Sequence, residues 1–252
     1  MSLIMQRRVF LIGGAGLLGA AALAYALDRP AGYGVAVDYK TVIGPPPTMG
    51  SVQAKAERAD FALTTAGVGS ARWREAKGQV FPSSTEVTAQ ISCALGRQIS
   101  PATTPVTARL LGNMAADVRR PVEAAKSFYR RDRPYVRAID TQTCDPRTLG
   151  SLGGGTGGVL SYAYPSGHAA YGAIVARTLS AVVPDRAAAV TAWGTRLGDN
   201  RVVCRVHWPS DVVAGRRLAD AVYARAAALP AFRADVVAAR AELARAPAAK
   251  GC

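Results

Sequence analysis

The chain contains two histidines, and each lies in a short run of polar residues. His168 ends the run YPSGH that begins at Tyr164, and Asp211 follows His207 after four residues. An imidazole that gives one N–H to a carboxylate can attack through its other nitrogen, because the carboxylate supports the charge that forms. For His168, a structural histidine that is hydrogen-bonded at a helix start is the alternative. Any mechanism that needs histidine must use one or both.

Cations that could hold an anion lie in the same part of the chain. Lys126 and Arg133 are seven residues apart, and Pro134 follows directly. Seven helical residues return to nearly the same face, so a helix that Pro134 ends would direct both cations toward one anion. Arg201, six residues before His207, adds a third cation. A solvated basic run is the alternative for the segment around Lys126.

Ser166 and Gly167 precede an alanine-rich stretch that predicts the start of a helix. Free backbone N–H groups and the dipole at such a start bind anions, and a glycine lets the backbone approach a phosphate closely. Ser166 would either cap the helix or donate to the anion. A second helix that begins near Pro209 would bring Asp211 back toward His207. Asp211 would otherwise only favour the dipole of that helix.

The elements that must position these residues are predicted to be helices. Ser83 to Glu86 has the spacing of a capping box, and apolar residues at helical spacing follow it and recur around Leu110 and Val122. The run from Gly153 to Gly158 predicts a loop. Period-two strands are scarce, so we expect an all-α fold with a single helical-bundle domain. Four Ala- and Val-rich stretches after the loop predict helices at about 167–183, 185–199, 209–228 and 230–245.

The N-terminus is typical of an exported protein. Residues 9–27 are uncharged and apolar, follow two arginines, and contain the small-residue site Ala24 to Ala26, which predicts a signal peptide over 1–26. The arginine pair resembles a twin-arginine export signal. An uncleaved membrane anchor is the alternative, because the run is just long enough to span a bilayer. Pro and Gly predict an extended N-terminal arm over 27–50, which leaves 51–252 for the helical domain.

Composition and net charge narrow the kinds of partner that the protein could bind. The chain has 252 residues, half of them hydrophobic, and can therefore bury a sizeable core. Its formal net charge of +14 attracts phosphates of nucleic acid, membranes or small substrates. Only 7% of residues are aromatic and none interleave with a basic stripe, so we expect no specific nucleic-acid partner. Membrane contact is expected only through an uncleaved signal.

Cysteine spacing favours disulfides over a metal site. The chain has four cysteines, Cys93, Cys144, Cys204 and Cys252, an even number in a chain predicted to reach an oxidising compartment. Neither a CxxC motif nor a His/Cys cluster is present, which argues against structural zinc. We favour the pair Cys144 with Cys204, because both flank the candidate site segments. Buried unpaired thiols are the alternative.

In their order along the chain, the three polar segments resemble the phosphatidic acid phosphatase type 2 superfamily. Its pattern is K-x6-R-P, then P-S-G-H, then S-R-x5-H-x3-D, and this chain departs from it only at Asn200, which replaces the serine. The runs Ile99 to Pro105 (ISPATTP) and Val203 to Asp211 (VCRVHWPSD) also look like class A bacterial non-specific acid phosphatases. The resemblance covers about residues 83–245. It implies a helical bundle of the phosphatidic acid phosphatase type 2 and vanadium haloperoxidase type.

The resemblance also implies a two-step hydrolysis of phosphate monoesters such as nucleotides, sugar phosphates and aryl phosphates. His207 would form a phosphohistidine while Asp211 orients it, and His168 would protonate the leaving alcohol and then activate water. A protonated imidazole acid favours mildly acidic conditions. The phosphate oxygens would be bound by Lys126, Arg133, Ser166, Gly167 and Arg201. No metal or other cofactor takes part, and transfer of the phosphoryl group to an alcohol would be a side activity.

We therefore expect a bacterial acid phosphatase, a phosphoric monoester hydrolase that is periplasmic or secreted. Asn200 can still donate a hydrogen bond, so its replacement of serine predicts a tuned affinity. A vanadate-dependent haloperoxidase would use the same pocket, and a membrane lipid phosphatase would need several spans where this chain offers one at most. A non-enzymatic secreted protein that binds polyanions would need exposed stacking aromatics. The family often forms homo-oligomers, and the sequence leaves the oligomeric state open.

Overall fold

The computed structural model describes residues 30–79, 84–138, 142–144 and 162–252. The predicted signal peptide, the cap residue Ser83 and the glycine-rich loop lie outside the described residues. From Ala31 onward the chain forms one unit. Apart from an isolated bridge between Arg97 and Ala248, the described residues contain no extended pairing, which confirms the all-α prediction.

Nine α-helices follow one another in the part of the chain that the structure describes. They are α1 Tyr39–Ile43, α2 Val52–Leu63, α3 Ala71–Gly78, α4 Ser84–Leu95, α5 Pro105–Tyr129, α6 Gly167–Val182, α7 Ala187–Val203, α8 Pro209–Ala227 and α9 Pro230–Arg245. Short 3-10 turns occupy Thr64–Gly67, Pro134–Arg137 and Pro184–Arg186. The segment predicted as an extended arm thus includes the short helix α1. Within the described ranges, no helix combines the length and apolar character needed to cross a bilayer.

Helix starts follow from the local sequence. Ser51, Ser70 and Ser166 cap α2, α3 and α6, each accepting a hydrogen bond from the backbone N–H three residues later. Helices α5, α8 and α9 begin with proline, whose missing N–H costs nothing in the first turn. The Ala- and Val-rich stretches at 167–183, 209–228 and 230–245 therefore matched α6, α8 and α9 almost to the residue.

The end of α5 differs from the sequence expectation. Pro134 was expected to end this helix, but the helix ends at Tyr129. Arg130 adopts a left-handed backbone with φ 46°, and its N–H donates to the carbonyl oxygen of Lys126 at 3.1 Å, which closes the last turn. Arg133 therefore lies beyond the helix, and the shared helical face predicted for Lys126 and Arg133 is wrong.

Helix α6 lies at the centre of the helical unit. It contacts α7 most extensively, then α8 and α5, and it also contacts α9. Most of its side chains are buried, including the fully buried Ile174, Val175 and Leu179, while Arg177 is exposed. A helix with such a wide apolar surface is stable where neighbouring helices cover it. Burial of α6 therefore fixes the position of its N-terminal end, where His168 lies.

Glycines let α6 approach its neighbours closely at two points. A Cβ atom at Gly172 would meet the carbonyl oxygen of Gly194 on α7, and one at Gly215 on α8 would meet the carbonyl oxygen of Ser166. Any side chain at these positions would push the helices apart, because close-packed interiors cannot absorb the added volume. The second contact holds the start of α6 against the first half of α8.

Two disulfides link segments that are far apart in the sequence. Cys93 on α4 is bonded to Cys252, and Cys144 is bonded to Cys204 at the end of α7. The pairing of Cys144 with Cys204 that the sequence favoured is confirmed. The backbone N–H of Cys144 also donates to the carbonyl oxygen of Cys204 at 3.2 Å. This second link holds the segment 142–144 next to the chain that leads into His207.

Candidate active site

Four segments of the chain meet where α6 and α8 begin. Lys126 lies in the last turn of α5, Arg133 lies beyond that helix, Arg201 lies near the end of α7, and His207 precedes α8. The positive charges of the three basic residues all act on His207. The structure thus brings together cations that the sequence predicted from two separate motifs.

His207 directs its two ring nitrogens to different partners. Nδ1 lies 3.2 Å from Oδ2 of Asp211, and Nε2 lies 3.1 Å from Nη1 of Arg133. A guanidinium group can only donate, so Arg133 donates to Nε2, and the imidazole proton resides on Nδ1, where the carboxylate accepts it. Helix α8 begins at Pro209, and its first turn returns Asp211 to His207, the geometry that the sequence predicted.

Backbone carbonyl groups hold two of the cations in place. Nη1 of Arg133 donates to the carbonyl oxygen of Val206 at 2.7 Å, and Nζ of Lys126 donates to the carbonyl oxygen of Tyr162. Lys126 is only 3% exposed and Arg201 only 4%. Side chains fixed in this way lose little further entropy when they bind an anion, which favours tight and oriented binding.

The interior changes the protonation of the site. Burial lowers the pKa of His207 well below the ordinary imidazole value, and the neighbouring positive charges lower it further. Burial likewise lowers the pKa of Lys126 to about 7, with repulsion from Arg133 as the next cause. For His207, both causes favour the neutral imidazole, whose Nε2 carries a lone pair.

Asp211 is fully buried and accepts hydrogen bonds from three directions. Its carboxylate faces Nδ1 of His207, the backbone N–H of Trp208 at 2.8 Å, and Nη1 of Arg131 at 2.5 Å. Burial raises the pKa of Asp211 to about 6, and the charge of Arg131 is the largest influence that opposes this rise. The ionised state of Asp211 thus depends on its hydrogen-bonding partners.

The start of α6 forms the other wall of the site. Ser166 caps the helix through the N–H of Ala169 at 3.4 Å, and its own N–H donates to the carbonyl oxygen of Asp211 at 2.9 Å. Of the two roles weighed for Ser166, the cap is observed. Gly167 and His168 are the first two residues of the helix, so their backbone N–H groups belong to its open first turn. The charge of His168 also lowers the pKa of His207, which places the two imidazoles within electrostatic range.

The model of the PAP2 superfamily matches residues 105–233. The chain belongs to the PAP2 superfamily. The matched span runs from the first residue of α5 into α9. It includes every residue predicted for catalysis or phosphate binding, namely Lys126, Arg133, Ser166, Gly167, His168, Arg201, His207 and Asp211.

Curated relatives extend this match along most of the chain. A non-specific acid phosphatase of Salmonella typhimurium is 35% identical over 176 residues, which cover 69% of this chain and 68% of that protein. An acid phosphatase of Zymomonas mobilis is 32% identical over 204 residues, 81% of this chain and 75% of that protein. A non-specific acid phosphatase of Providencia stuartii is 29% identical over 211 residues, 83% of this chain and 82% of that protein.

Asn200 stands where the PAP2 pattern has serine. Its side chain is buried, and Nδ2 donates to Oε1 of Gln79, whose own Nε2 donates to Oε1 of Gln90 at 2.9 Å. Within the described part of the chain, Oδ1 of Asn200 has no hydrogen-bond partner. The amide thus donates toward the end of α3, not toward His207. Its effect on affinity stays a prediction.

Two charged residues near the PAP2 site were missed by the sequence reasoning. Arg131 donates through Nη1 to Asp211 and through Nη2 to Oε2 of Glu57 at 2.7 Å. Arg131 lies in the basic run that ends at Arg133, so its position in the run was a usable signal. Glu57 lies on α2, outside the span matched by the PAP2 model, and no local spacing marks it.

A cavity of about 330 Å³ opens next to the PAP2 site. Both Arg131 and Arg133 line it, together with the aromatic rings of Phe61 and Trp208. The guanidinium of Arg131 lies over the Trp208 ring at 5.4 Å from its centre, a cation–π geometry. Among the described residues, no group of three or more His, Cys, Asp or Glu side chains could hold a metal ion.

Proposed function

We propose that the chain is an exported acid phosphatase of broad specificity. It would hydrolyse phosphate monoesters through a phosphohistidine intermediate and without a metal. The observation that carries the proposal is the pair of contacts at His207. Nδ1 faces a carboxylate and Nε2 faces a cation, so the nitrogen that can attack phosphorus points to where a phosphate would bind. The similarity to bacterial acid phosphatases supports the phosphatase activity.

The first step would form the phosphoenzyme. A phosphate oxygen would take the N–H of Arg133 that now reaches His207, which frees the Nε2 lone pair for attack. The N–P bond forms as the bond from phosphorus to the ester oxygen breaks, and His168 gives its proton to the leaving alcohol. Asp211 balances the positive charge that develops on the imidazole ring of His207.

The second step would reverse these roles with water. His168, now neutral, would accept a proton from water as the water oxygen attacks phosphorus, and the N–P bond to His207 breaks. In both steps Lys126, Arg133 and Arg201 would stabilise the charge on the equatorial oxygens, the task that magnesium performs in many phosphoryl-transfer enzymes. An alcohol in place of water would give phosphotransfer.

The acidic working range follows from two opposite requirements. The attacking His207 must be neutral, whereas the leaving alcohol needs a protonated acid. Burial and nearby cations lower the pKa of His207, which favours its neutral form at a pH where an ordinary imidazole acid is protonated. Export is supported by the segment 1–26 and by two disulfides, which persist in oxidising compartments such as the periplasm or the exterior.

The test is an assay of residues 27–252 on an aryl phosphate between pH 4 and 8 with a chelator present. We expect turnover with an acidic optimum, competitive inhibition by vanadate, and acid-labile phosphate on the quenched protein. His207→Ala should lose both turnover and the labile phosphate. Lack of turnover in the unaltered protein at every pH would refute the proposal, and so would full activity of His207→Ala. Halide oxidation that needs vanadate and peroxide would instead favour a haloperoxidase.

A further inference from the structure

The structure contains a buried chain of charges behind the candidate nucleophile. It runs from Glu57 on α2 through Arg131, which follows α5, to Asp211 on α8. The side chains are 5% exposed at Glu57, 11% at Arg131 and 0% at Asp211. Burial of three charged side chains costs desolvation free energy even when they pair with one another, and apolar side chains would often be as stable. Stability alone therefore does not explain the triad, and we look for a functional role.

Hydrogen bonds fix the geometry of this triad from several sides. Arg131 spans the two carboxylates, with Nη1 2.5 Å from Asp211 and Nη2 2.7 Å from Glu57. The second oxygen of Glu57 accepts the backbone N–H of Ser210 at 2.8 Å, and Nη1 of Arg131 also donates to Oγ of Ser210 at 2.7 Å. Glu57 thus holds both Arg131 and the first turn of α8, the turn that carries Asp211.

We propose that Arg131 and Glu57 are positioning residues for the reaction: Arg131 keeps Asp211 ionised and aimed at His207, and Glu57 keeps Arg131 in place. This inference rests on the proposed function, because it assigns a purpose to Asp211. Neither residue touches the phosphate or the reacting atoms in this scheme. Both act through Asp211, which holds the imidazole proton on Nδ1 and so leaves Nε2 able to attack.

The groups that face Asp211 show why Arg131 has this role. His207 contacts one carboxylate oxygen, while Lys126 and Arg133 act on Asp211 only through their charge. The Tyr164 hydroxyl, which donates to backbone oxygens of Ile43 and Gly44, also acts on Asp211 only through space. Of the Lys and Arg side chains that the structure describes around Asp211, Arg131 is the one that donates a hydrogen bond to it.

Asp211 would lose its negative charge most readily under the acidic conditions of the proposed reaction, because protons are most abundant there. Burial alone raises its pKa, and the charge and hydrogen bond of Arg131 lower it. Loss of Arg131 would therefore raise the pKa of Asp211 further, so the carboxylate would be protonated up to a higher pH. The acid limb of kcat would then move to higher pH, whereas phosphate binding by Lys126, Arg133 and Arg201 would be little affected.

The experiment measures kcat, KM and inhibition by inorganic phosphate from pH 4 to 8 for Arg131→Gln. We expect kcat at pH 5 to fall roughly 10- to 100-fold, as happens when a hydrogen-bond partner that orients a metal ligand is removed. The pKa that defines the acid limb of the kcat profile should increase by about one unit or more, because an arginine lowers the pKa of a neighbouring carboxylate by about that amount. KM and the inhibition constant of phosphate should stay within about threefold. Arg131→Lys should recover part of kcat, because it restores a positive charge near Asp211.

The matched control is Arg130→Gln, which removes the neighbouring arginine. Arg130 is exposed and its Nε bonds only to the backbone oxygen of Ser127 at 3.0 Å, so the control should match the unaltered protein. Glu57→Gln provides a second variant that keeps the size of the side chain. We expect kcat to fall several-fold, and the double variant with Arg131→Gln to lose less than the product of the two single losses.

The outcomes separate this inference from the proposed function. If the unaltered protein lacks turnover, the proposed function fails. If it turns over and His207→Ala does not, but Arg131→Gln and Glu57→Gln keep the pH profile and kcat per folded molecule, only the positioning inference fails. A variant that loses thermal stability but keeps its acid limb, or two losses that simply multiply, would show a structural role and overturn the inference as well.

Discussion

Replacement of Asp211 by asparagine tests the candidate site most directly, because it keeps the shape of the side chain and changes only its charge and one acceptor. The carboxylate accepts from His207, Trp208 and Arg131. An asparagine has one acceptor oxygen and one NH2 group, so it cannot serve donors on both sides. With its oxygen toward Arg131, its NH2 group would face Nδ1 of His207.

The imidazole would then move its proton to Nε2, so that Nδ1 accepts from the amide. The attacking nitrogen would lose its lone pair, and the positive charge that forms during attack would lose its counter-charge. A wrong tautomer of this kind costs on the order of 10⁴ in kcat in the serine protease triad, and we expect a loss of similar order for Asp211→Asn. Stability should fall by about 1–3 kcal/mol, less than for an isolated buried pair, because Glu57 still faces Arg131.

The assay is steady-state hydrolysis of an aryl phosphate at the optimum pH, with urea unfolding in parallel. Asp199→Asn is the control, because Asp199 lies on α7 in a partly exposed ion pair with Arg216 at 2.6 Å. The control should keep its kcat and lose less than about 1 kcal/mol of stability. Asp211→Asn that retains more than a tenth of kcat while folded would refute the tautomer argument.

Three further predictions follow from packing, covalent links and burial. Gly172→Ala should lower the free energy of unfolding by about 1–3 kcal/mol, because its Cβ would meet the carbonyl oxygen of Gly194. Gly67→Ala is the control, because Gly67 has open space around it and its replacement should leave stability unchanged. An unchanged melting temperature for Gly172→Ala would contradict this prediction. Cys144→Ser with Cys204→Ser opens a link with a sequence separation of 60 and should cost about 4 kcal/mol in urea unfolding; equal midpoints for oxidised and mutated protein would contradict it. Lys126→Met should abolish turnover yet raise the stability of the phosphate-free protein by about 1–4 kcal/mol at pH 6, since a buried charge is replaced by an apolar chain. The depressed pKa of Lys126 makes the unaltered protein gain stability as pH rises from about 7 toward 10.5, a gain that the variant should lack.

Local signals explain which parts of the fold and site could be predicted from the sequence. The starts of α6 and α8 carry Ser166 and Pro209, a cap and a first-turn proline, so their positions follow from a few neighbouring residues. Asp211 reaches His207 for the same reason, because a residue in the first turn of a helix folds back on the chain just before it. Contacts between residues within about one helical turn of each other can be predicted from their spacing in the sequence.

Contacts between distant segments could not be predicted in this way. The end of α5 depends on the left-handed backbone of Arg130, which is not a residue type that commonly marks such a turn. Glu57 meets Arg131 across a sequence separation of 74, and its helix carries no motif that indicates this pairing. The contact of Glu57 depends on how α2 packs against the chain after α5, which periodicity of a single helix does not specify.

The charges of the site bear on why the protein should bind phosphate at all. Burial lowers the pKa of Lys126 and of Arg133, so the fold holds two cations in surroundings that disfavour their charge. The adjacent carboxylate of Asp211 raises both pKa values through its charge, but burial lowers them more. A phosphate would supply the compensating negative charge, so part of its binding energy would come from relief of this strain between cations. This repulsion between the cations increases specificity for anions, because an uncharged ligand of the same size would not compensate their positive charge.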